Sequence, residues 1–257
     1  MTAISATHLA NPAVSEFNRK ISERTARVGI VGLGYVGLPL ALMYSGQKFS
    51  VTGFDIDNTK VKTLMASGSY IVRIEPSEIA EARANGFTAT SDFAGITEMD
   101  AVIICVPTPL DEYREPDLSY IVNTAKAIAP HLRAGQLVVL ESTTYPGTTE
   151  EVLAPILEKE NRAGVKVAAD GAERARSIYV AFSPEREDPG RTDIARRDIP
   201  KVVGGMDPVA SALAGALYGS IFSRIVPVSS PAVAALAASA TNWRAACVLM
   251  LISARWA

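Results

Sequence analysis

The segment from Arg27 to Asp55 constrains the fold more than any other part of the chain. An apolar run, Arg27-Val-Gly-Ile-Val31, leads into Gly32-Leu-Gly34-Tyr-Val-Gly37. A stretch of small and apolar residues follows, then Val51-Thr-Gly-Phe-Asp55. A strand, a turn with glycines at i, i+2 and i+5, a helix and a second strand ending in an acid form the first βαβ unit of a dinucleotide-binding site. Each glycine has a physical role. Gly32 permits the tight turn, Gly34 lets a pyrophosphate approach the backbone, and Gly37 lets helix and strand pack closely. The phosphates then rest on a helix N-terminus, where free N–H groups and the macrodipole favour negative charge.

Asp55 lies 23 residues beyond Gly32. A carboxylate there accepts hydrogen bonds from a ribose 2′-hydroxyl and repels a 2′-phosphate. Ile56, Asp57 and Asn58 follow, with no arginine to hold that phosphate. The expected cofactor is therefore NAD rather than NADP. Gly32, Gly34, Tyr35, Val36, Gly37 and Asp55 form the expected cofactor segment, within which the Tyr35 and Val36 side chains read as packing residues.

Strand and helix patterns alternate along the rest of the 257 residues, which predicts an α/β fold with a doubly wound, mainly parallel sheet. Expected strands are Val28–Val31, Ser50–Phe54, Ala101–Val106, Leu137–Leu140, Ile178–Phe182, Lys201–Val203 and Ile225–Pro227. Most are continuous apolar runs, as in sheets covered on both faces. Expected helices are Tyr35–Ser45, Thr59–Ser67, Glu78–Ala84, Ser119–Ile128, Thr149–Lys159 and Val209–Ile221. Asp207-Pro208 and Ser230-Pro231 pair an N-cap with proline at the first helical position. The reading divides the chain into an N-terminal extension (1–24), frayed or accessory, a Rossmann-like NAD-binding domain (25–228), and the start of a linker helix with a divergent tail (229–257). The charged, Ala/Gly-rich run from Asn161 to Arg176 reads as a surface connection.

Composition narrows the function classes. A net charge of −2 gives no basic footprint for nucleic acid. The longest late apolar run, Cys247 to Ile252, is far too short to span a bilayer, and the polar first 23 residues lack the apolar core of a signal peptide. Two cysteines without ligand spacing fit a reducing cytoplasm. No metal site is expected: His8 lies in the extension, and His131 follows an expected helix end, where an imidazole can satisfy a terminal carbonyl.

Three further strand ends carry polar groups toward the sheet edge at which open α/β folds bind ligands. Ala101–Val106 runs into Pro107-Thr108-Pro109, a stiff extended loop whose Thr108 hydroxyl either meets cofactor or substrate or belongs to a structural loop. Leu137–Leu140 runs into Glu141-Ser142-Thr143-Thr144-Tyr145-Pro146-Gly147-Thr148-Thr149, with more hydroxyls than one helix cap needs. Ile178–Phe182 runs into Ser183-Pro184-Glu185. Glu185 is either a proton-transfer group or part of a solvated charged loop.

In this order, the blocks 32–41 (GLGYVGLPLA), 51–57 (VTGFDID), 106–112 with 116–118 (VPTPLDE, PDL), 141–151 (ESTTYPGTTEE), 182–190 (FSPEREDPG) and 198–205 (DIPKVVGG) resemble the UDP-glucose/GDP-mannose dehydrogenase family. The wording of 141–151 and 182–190 is most similar to the branch acting on UDP-N-acetylhexosamines. The resemblance runs from about Arg27 to Val233. It implies NAD-dependent oxidation of a UDP-sugar C6 alcohol to a carboxylate in two hydride steps, through a thioester on a cysteine. It also implies a UDP-sugar substrate, a homodimer and a role in polysaccharide biosynthesis. Residue by residue, it implies that Lys60 contacts the adenosine ribose and Thr108 the cofactor. Thr143 is implied beside the cofactor and as a holder of the catalytic water, and Glu185 in general acid/base work and thioester hydrolysis. Glu141 falls at a position that varies in the family, and no role is expected for it.

The resemblance fails after Ala234. Where the family has a catalytic lysine and asparagine on one helix, this chain has Ala238 and Asn242. No counterpart of the UDP-sugar domain with its nucleophilic cysteine is recognised, and neither Cys105, inside a strand pattern, nor Cys247, in the tail, matches that nucleophile. The sequence therefore reads as a truncated or frame-disrupted chain holding the cofactor half, with little or no turnover, a compromised dimer and an apolar, association-prone C-terminus. Two alternatives stand beside this reading: an NAD-binding module without catalysis, and a different Rossmann dehydrogenase acting on small hydroxyacids, against which the blocks 141–151 and 182–190 argue.

Overall fold

The computed structural model describes residues 12–109, 116–168, 176–185 and 196–239. Its helices are α1 (Pro12–Ser22), α2 (Gly37–Gly46), α3 (Asn58–Met65), α4 (Pro76–Ala84), α5 (Ser119–Ile128), α6 (Ala154–Lys159), α7 (Pro208–Gly219) and α8 (Pro231–Ser239). Its strands are β1 (Arg27–Val31), β2 (Ser50–Phe54), β3 (Thr88–Thr90), β4 (Ala101–Ile104), β5 (Leu137–Leu140), β6 (Lys166–Val167), β7 (Ser177–Phe182), β8 (Lys201–Gly205) and β9 (Ile225–Val228). The main sheet runs β3-β2-β1-β4-β5-β7-β8-β9, with β6 alongside β7. Every pairing is parallel except β7 with β8. This is the mainly parallel, doubly wound architecture expected from the sequence.

The continuous apolar strands follow from coverage on both faces. In β4, Ala101 and Ile103 face one core while Val102 and Ile104 face the other; β5 alternates in the same way through Leu137 and Val139 against Val138 and Leu140. Helices α1, α2, α4 and α7 cover the first face, and α5, α6 and α8 the second. Strand order reverses between β1 and β4, so the loops leaving those two strands diverge and open a crevice at the carboxyl edge.

Several elements differ from the sequence reading. The extension contains α1, whose Val14, Phe17 and Ile21 are buried in the first core. Lys20 on α1 reaches Asp100 at 2.7 Å, and the same carboxylate accepts the Arg27 N–H at 2.9 Å, which ties the helix to the start of β1. The surface connection contains β6, paired with β7. The helix expected over Thr149–Lys159 is a π-helical turn, Thr148–Leu153, followed by α6. Pro155 offers no N–H and its ring crowds the carbonyl one turn earlier, so the backbone widens there. Helix α4 starts at Pro76, earlier than expected, because the Glu78 carboxylate turns back to accept the Glu75 N–H at 2.9 Å. His8, Asn242, Cys247 and most of the loop after Glu185 lie outside the described residues, as does the side chain of Ala238. Among the described residues, no helix is long and apolar enough to cross a membrane and no group of three or more His, Cys, Asp or Glu could hold a metal ion.

Candidate functional site

The glycine turn closes over the end of β1, and its geometry assigns a different task to each glycine. Gly32 has φ +91°, and a Cβ there would meet the Cys105 carbonyl oxygen at 2.5 Å. At Gly37 a Cβ would lie 1.9 Å from the Gly32 carbonyl oxygen, so the first turn of α2 rests directly on the loop backbone. At Gly34 a Cβ would meet nothing within 4 Å. The position of closest expected ligand approach is therefore open space. Helix α2 begins just behind it with no side-chain cap and no acidic residue in its first turn, so no side chain of that turn competes for its positive end. An extended diphosphate fits these residues.

Asp55 sits at the end of β2 and is 6% exposed. Its Oδ2 accepts the Leu33 N–H at 2.9 Å and its Oδ1 accepts the Asp57 N–H at 2.9 Å. The carboxylate is thus fixed to the glycine turn, at the mouth where a ribose would lie. Tyr70 donates its hydroxyl to the Leu33 carbonyl at 2.5 Å from the other side. The Lys60 ammonium lies 3.6 Å from Asp55 Oδ2 and 5.9 Å from the centre of the Tyr70 ring. Asp57 caps α3 by accepting the Thr59 N–H, and that bond holds its carboxyl below the usual range. Two carboxylates, Asp55 and Asp57, therefore stand together after β2. Tyr35, read as a packing residue, is instead 75% exposed at the rim of the crevice, while Val36 is partly buried against the core. Tyr35 lies between Gly34 and Gly37 in a turn that leaves the sheet, so the core offers its ring no place.

The loops after β4 and β5 are stitched together. Thr108 donates its hydroxyl to the Thr143 carbonyl at 2.6 Å, and Ser142 donates to the Val106 carbonyl at 2.7 Å. The Thr143 side chain is exposed. Its neighbour Thr144 is buried, and its hydroxyl has no hydrogen-bond partner among the described residues.

Below the crevice lies an assembly the sequence reading passed over. Glu141 is fully buried at the end of β5, and Lys201, at the start of β8, donates to its Oε1. Tyr218 of α7 donates its hydroxyl to Glu141 Oε2 at 2.5 Å. The Lys201 ammonium also meets the Pro184 carbonyl at 3.2 Å and Glu185 Oε2 at 3.4 Å. Burial pushes the Glu141 carboxyl up to about 8; Lys201 pulls against this, and Glu185 adds to it. Burial also disfavours the Lys201 ammonium, but Glu141 and Glu185 outweigh it and hold the group above the ordinary lysine range. Burial, with Glu141 and Glu185 beside it, pushes the Cys105 thiol well up, so Cys105 is a buried structural thiol and a poor nucleophile.

This cluster predicts a pH effect with a definite sign. Between about 4.5 and 8 the unfolded chain has released the Glu141 proton while the folded chain retains it, so stability falls as pH rises through that window. One such group contributes at most about 1.4 kcal/mol per pH unit. Urea unfolding at pH 5 and pH 8 should show a larger loss of stability in the wild type than in Glu141→Gln. An equal or smaller loss would contradict the assignment.

Comparison with known proteins places these features in one family. Residues 26–222 match the model of the UDP-glucose/GDP-mannose dehydrogenase family, NAD binding domain. The chain is 36% identical over 197 residues to UDP-N-acetyl-D-glucosamine 6-dehydrogenase of Pseudomonas aeruginosa, covering 77% of this chain and 44% of that protein. It is 34% identical over 193 residues to UDP-N-acetyl-D-mannosamine dehydrogenase of Escherichia coli (strain K12), covering 75% and 45%. Among solved structures, NDP-N-acetyl-D-galactosaminuronic acid dehydrogenase from Methanosarcina mazei Go1 superposes with a TM-score of 0.74 at 28% identity, covering 88% of this chain and 48% of that one. A ternary complex of GDP-mannose dehydrogenase from Pseudomonas aeruginosa superposes with a TM-score of 0.71 at 29% identity, covering 86% and 50%. The chain thus spans about half the length of the relatives it matches.

Proposed function

Because this chain belongs to the UDP-glucose/GDP-mannose dehydrogenase family and carries its NAD-binding domain, we propose that it supplies the cofactor half of an NAD-dependent oxidation. In this reading the C6 alcohol of a UDP-sugar of the N-acetylhexosamine kind becomes the uronic acid, a step of polysaccharide biosynthesis. The observation that carries the reading is the open space at Gly34, between an uncapped helix end and a carboxylate anchored to the same turn. NAD, when bound, accepts the hydride. The protein's own groups bind and orient it. Gly32, Gly34 and Gly37 admit the diphosphate, Asp55 with Lys60 holds the adenosine ribose, and Tyr35 and Val36 border the mouth. Thr108, bonded to the Thr143 carbonyl, and Thr143 brace the loop on the nicotinamide side. Glu185, at the same sheet edge, is the acid/base candidate.

Ala238 stands where the resemblance expects a catalytic lysine. That substitution favours the reading in which this chain binds NAD with little turnover, since residues acting as a unit lose nearly all the rate when one is removed. The free Cys105 thiol fits action in the reducing cytoplasm.

Titration with both dinucleotides tests the reading. The wild type should bind NAD more tightly than NADP. Asp55→Asn should weaken NAD about tenfold and narrow the preference, because it removes a charged partner of the ribose and the repulsion of a 2′-phosphate. Tighter NADP binding by the wild type would overturn it.

A further inference from the structure

The Glu141–Lys201 pair is placed to act on Glu185, and we propose that Lys201 is a positioning residue that aims the Glu185 carboxylate into the crevice and keeps it ionised. The proposal rests on the reading of Glu185 as the acid/base group. Lys201 is held in place from several directions. Glu141, just after β5, accepts one of its protons, the Pro184 carbonyl another at 3.2 Å, and the Tyr218 and Phe222 rings lie 5.2 and 5.5 Å from its nitrogen. Tyr218 in turn fixes Glu141 from α7. The bond to Pro184 fixes the backbone one residue before Glu185, and the 3.4 Å contact fixes the side chain itself. One ammonium, with its side chain 4% exposed, therefore sets both the position and the electrostatic surroundings of a carboxylate that is 20% exposed.

The other titratable groups around the ammonium are Tyr218 on α7, Cys105 after β4 and Glu141 after β5, while Tyr44 on α2 borders Glu141 and Tyr218. Burial pushes Tyr44, Tyr218 and Cys105 well above their usual values, so none of the three carries charge at neutral pH. Burial raises the Glu141 carboxyl, so Glu141 offers the ammonium less negative charge than an exposed carboxylate would. The Lys201 ammonium, 3.4 Å from Glu185 Oε2, is thus the nearest opposite charge that the described residues set against that carboxylate.

The test follows the Glu185 carboxyl carbon by NMR in chains labelled at glutamate, the signal being identified by its loss in Glu185→Gln. Lys201→Met should move the Glu185 midpoint up by about one pH unit or more, the effect of losing an opposite charge within hydrogen-bonding reach. Lys201→Arg should return it to the wild-type value. The double variant Glu141→Gln with Lys201→Met leaves no buried charge behind and guards against failure to fold; it should show the same upward shift. An unshifted Glu185 in the methionine and double variants, or an arginine variant that behaves like methionine, overturns the proposal. NAD titration of the same samples keeps the two readings separate. Loss of NAD binding in the wild type would remove the cofactor assignment, whereas the Glu185 midpoints alone decide the role of Lys201.

Discussion

Gly34→Val is expected to lower NAD affinity about a hundredfold or more, a loss of roughly 3 kcal/mol, with little change in the unfolding temperature. The separation follows from the surroundings of that residue. A Cβ at Gly34 meets no protein atom within 4 Å, and the backbone there is not left-handed, so the fold has room for a side chain. The same space is where the diphosphate must approach the N–H groups at the start of α2. A branched side chain keeps the phosphates at a distance and leaves the helix end facing water. Calorimetric titration with NAD, paired with thermal unfolding followed by circular dichroism, reads both quantities. Unaltered affinity would mean that the diphosphate does not lie over Gly34.

Gly37→Ala should show the opposite pattern, a large loss of stability. Its Cβ would lie 1.9 Å from the Gly32 carbonyl oxygen and 3.2 Å from the Cys105 Cβ. The first contact is with backbone in a turn that is itself constrained at φ +91°, so no flexible side chain can yield. Helix α2 must lift away from β1, which exposes part of the core around Leu38, Leu40 and Tyr44. Overpacking of this kind costs about 3 kcal/mol or more. In a chain of this size that corresponds to a drop of roughly 6–12 °C in Tm. A Tm within a degree or two of the wild type would show that helix and turn are not in the close contact described. The two variants together separate a glycine required by the ligand from one required by the fold.

The local geometry behind both expectations was legible in the sequence because it depends on neighbours in the chain. The βαβ unit is local, the strands covered on both faces are continuous apolar runs, and β2 and β5 begin and end where the pattern placed them. Short or polar elements left weaker traces. Strand β3, Thr88–Thr90, is three residues long and owes its existence to pairing with β2, not to any apolar run of its own. Helix α1 is mostly polar in sequence, and only its docking through Val14, Phe17 and Ile21 reveals it as part of the core. The polar cluster under the crevice was out of reach for another reason. Glu141 and Lys201 are 60 residues apart, and Tyr218 is 77 from Glu141, so nothing in local spacing joins them. The one available signal was a lysine inside an otherwise apolar strand pattern at 201–203, since a charge covered on both faces requires a buried partner. Tyr35 was misjudged because apolar bulk in a glycine turn resembles core, whereas the turn carries that residue to the rim of the crevice.

The most direct measurement is isothermal titration of NAD into the purified chain, with the far-ultraviolet circular dichroism of the same sample recorded. The account predicts saturable binding of one NAD per chain, tighter than NADP and removed by Gly34→Val. A chain whose sheet is intact and which takes up no NAD would contradict it.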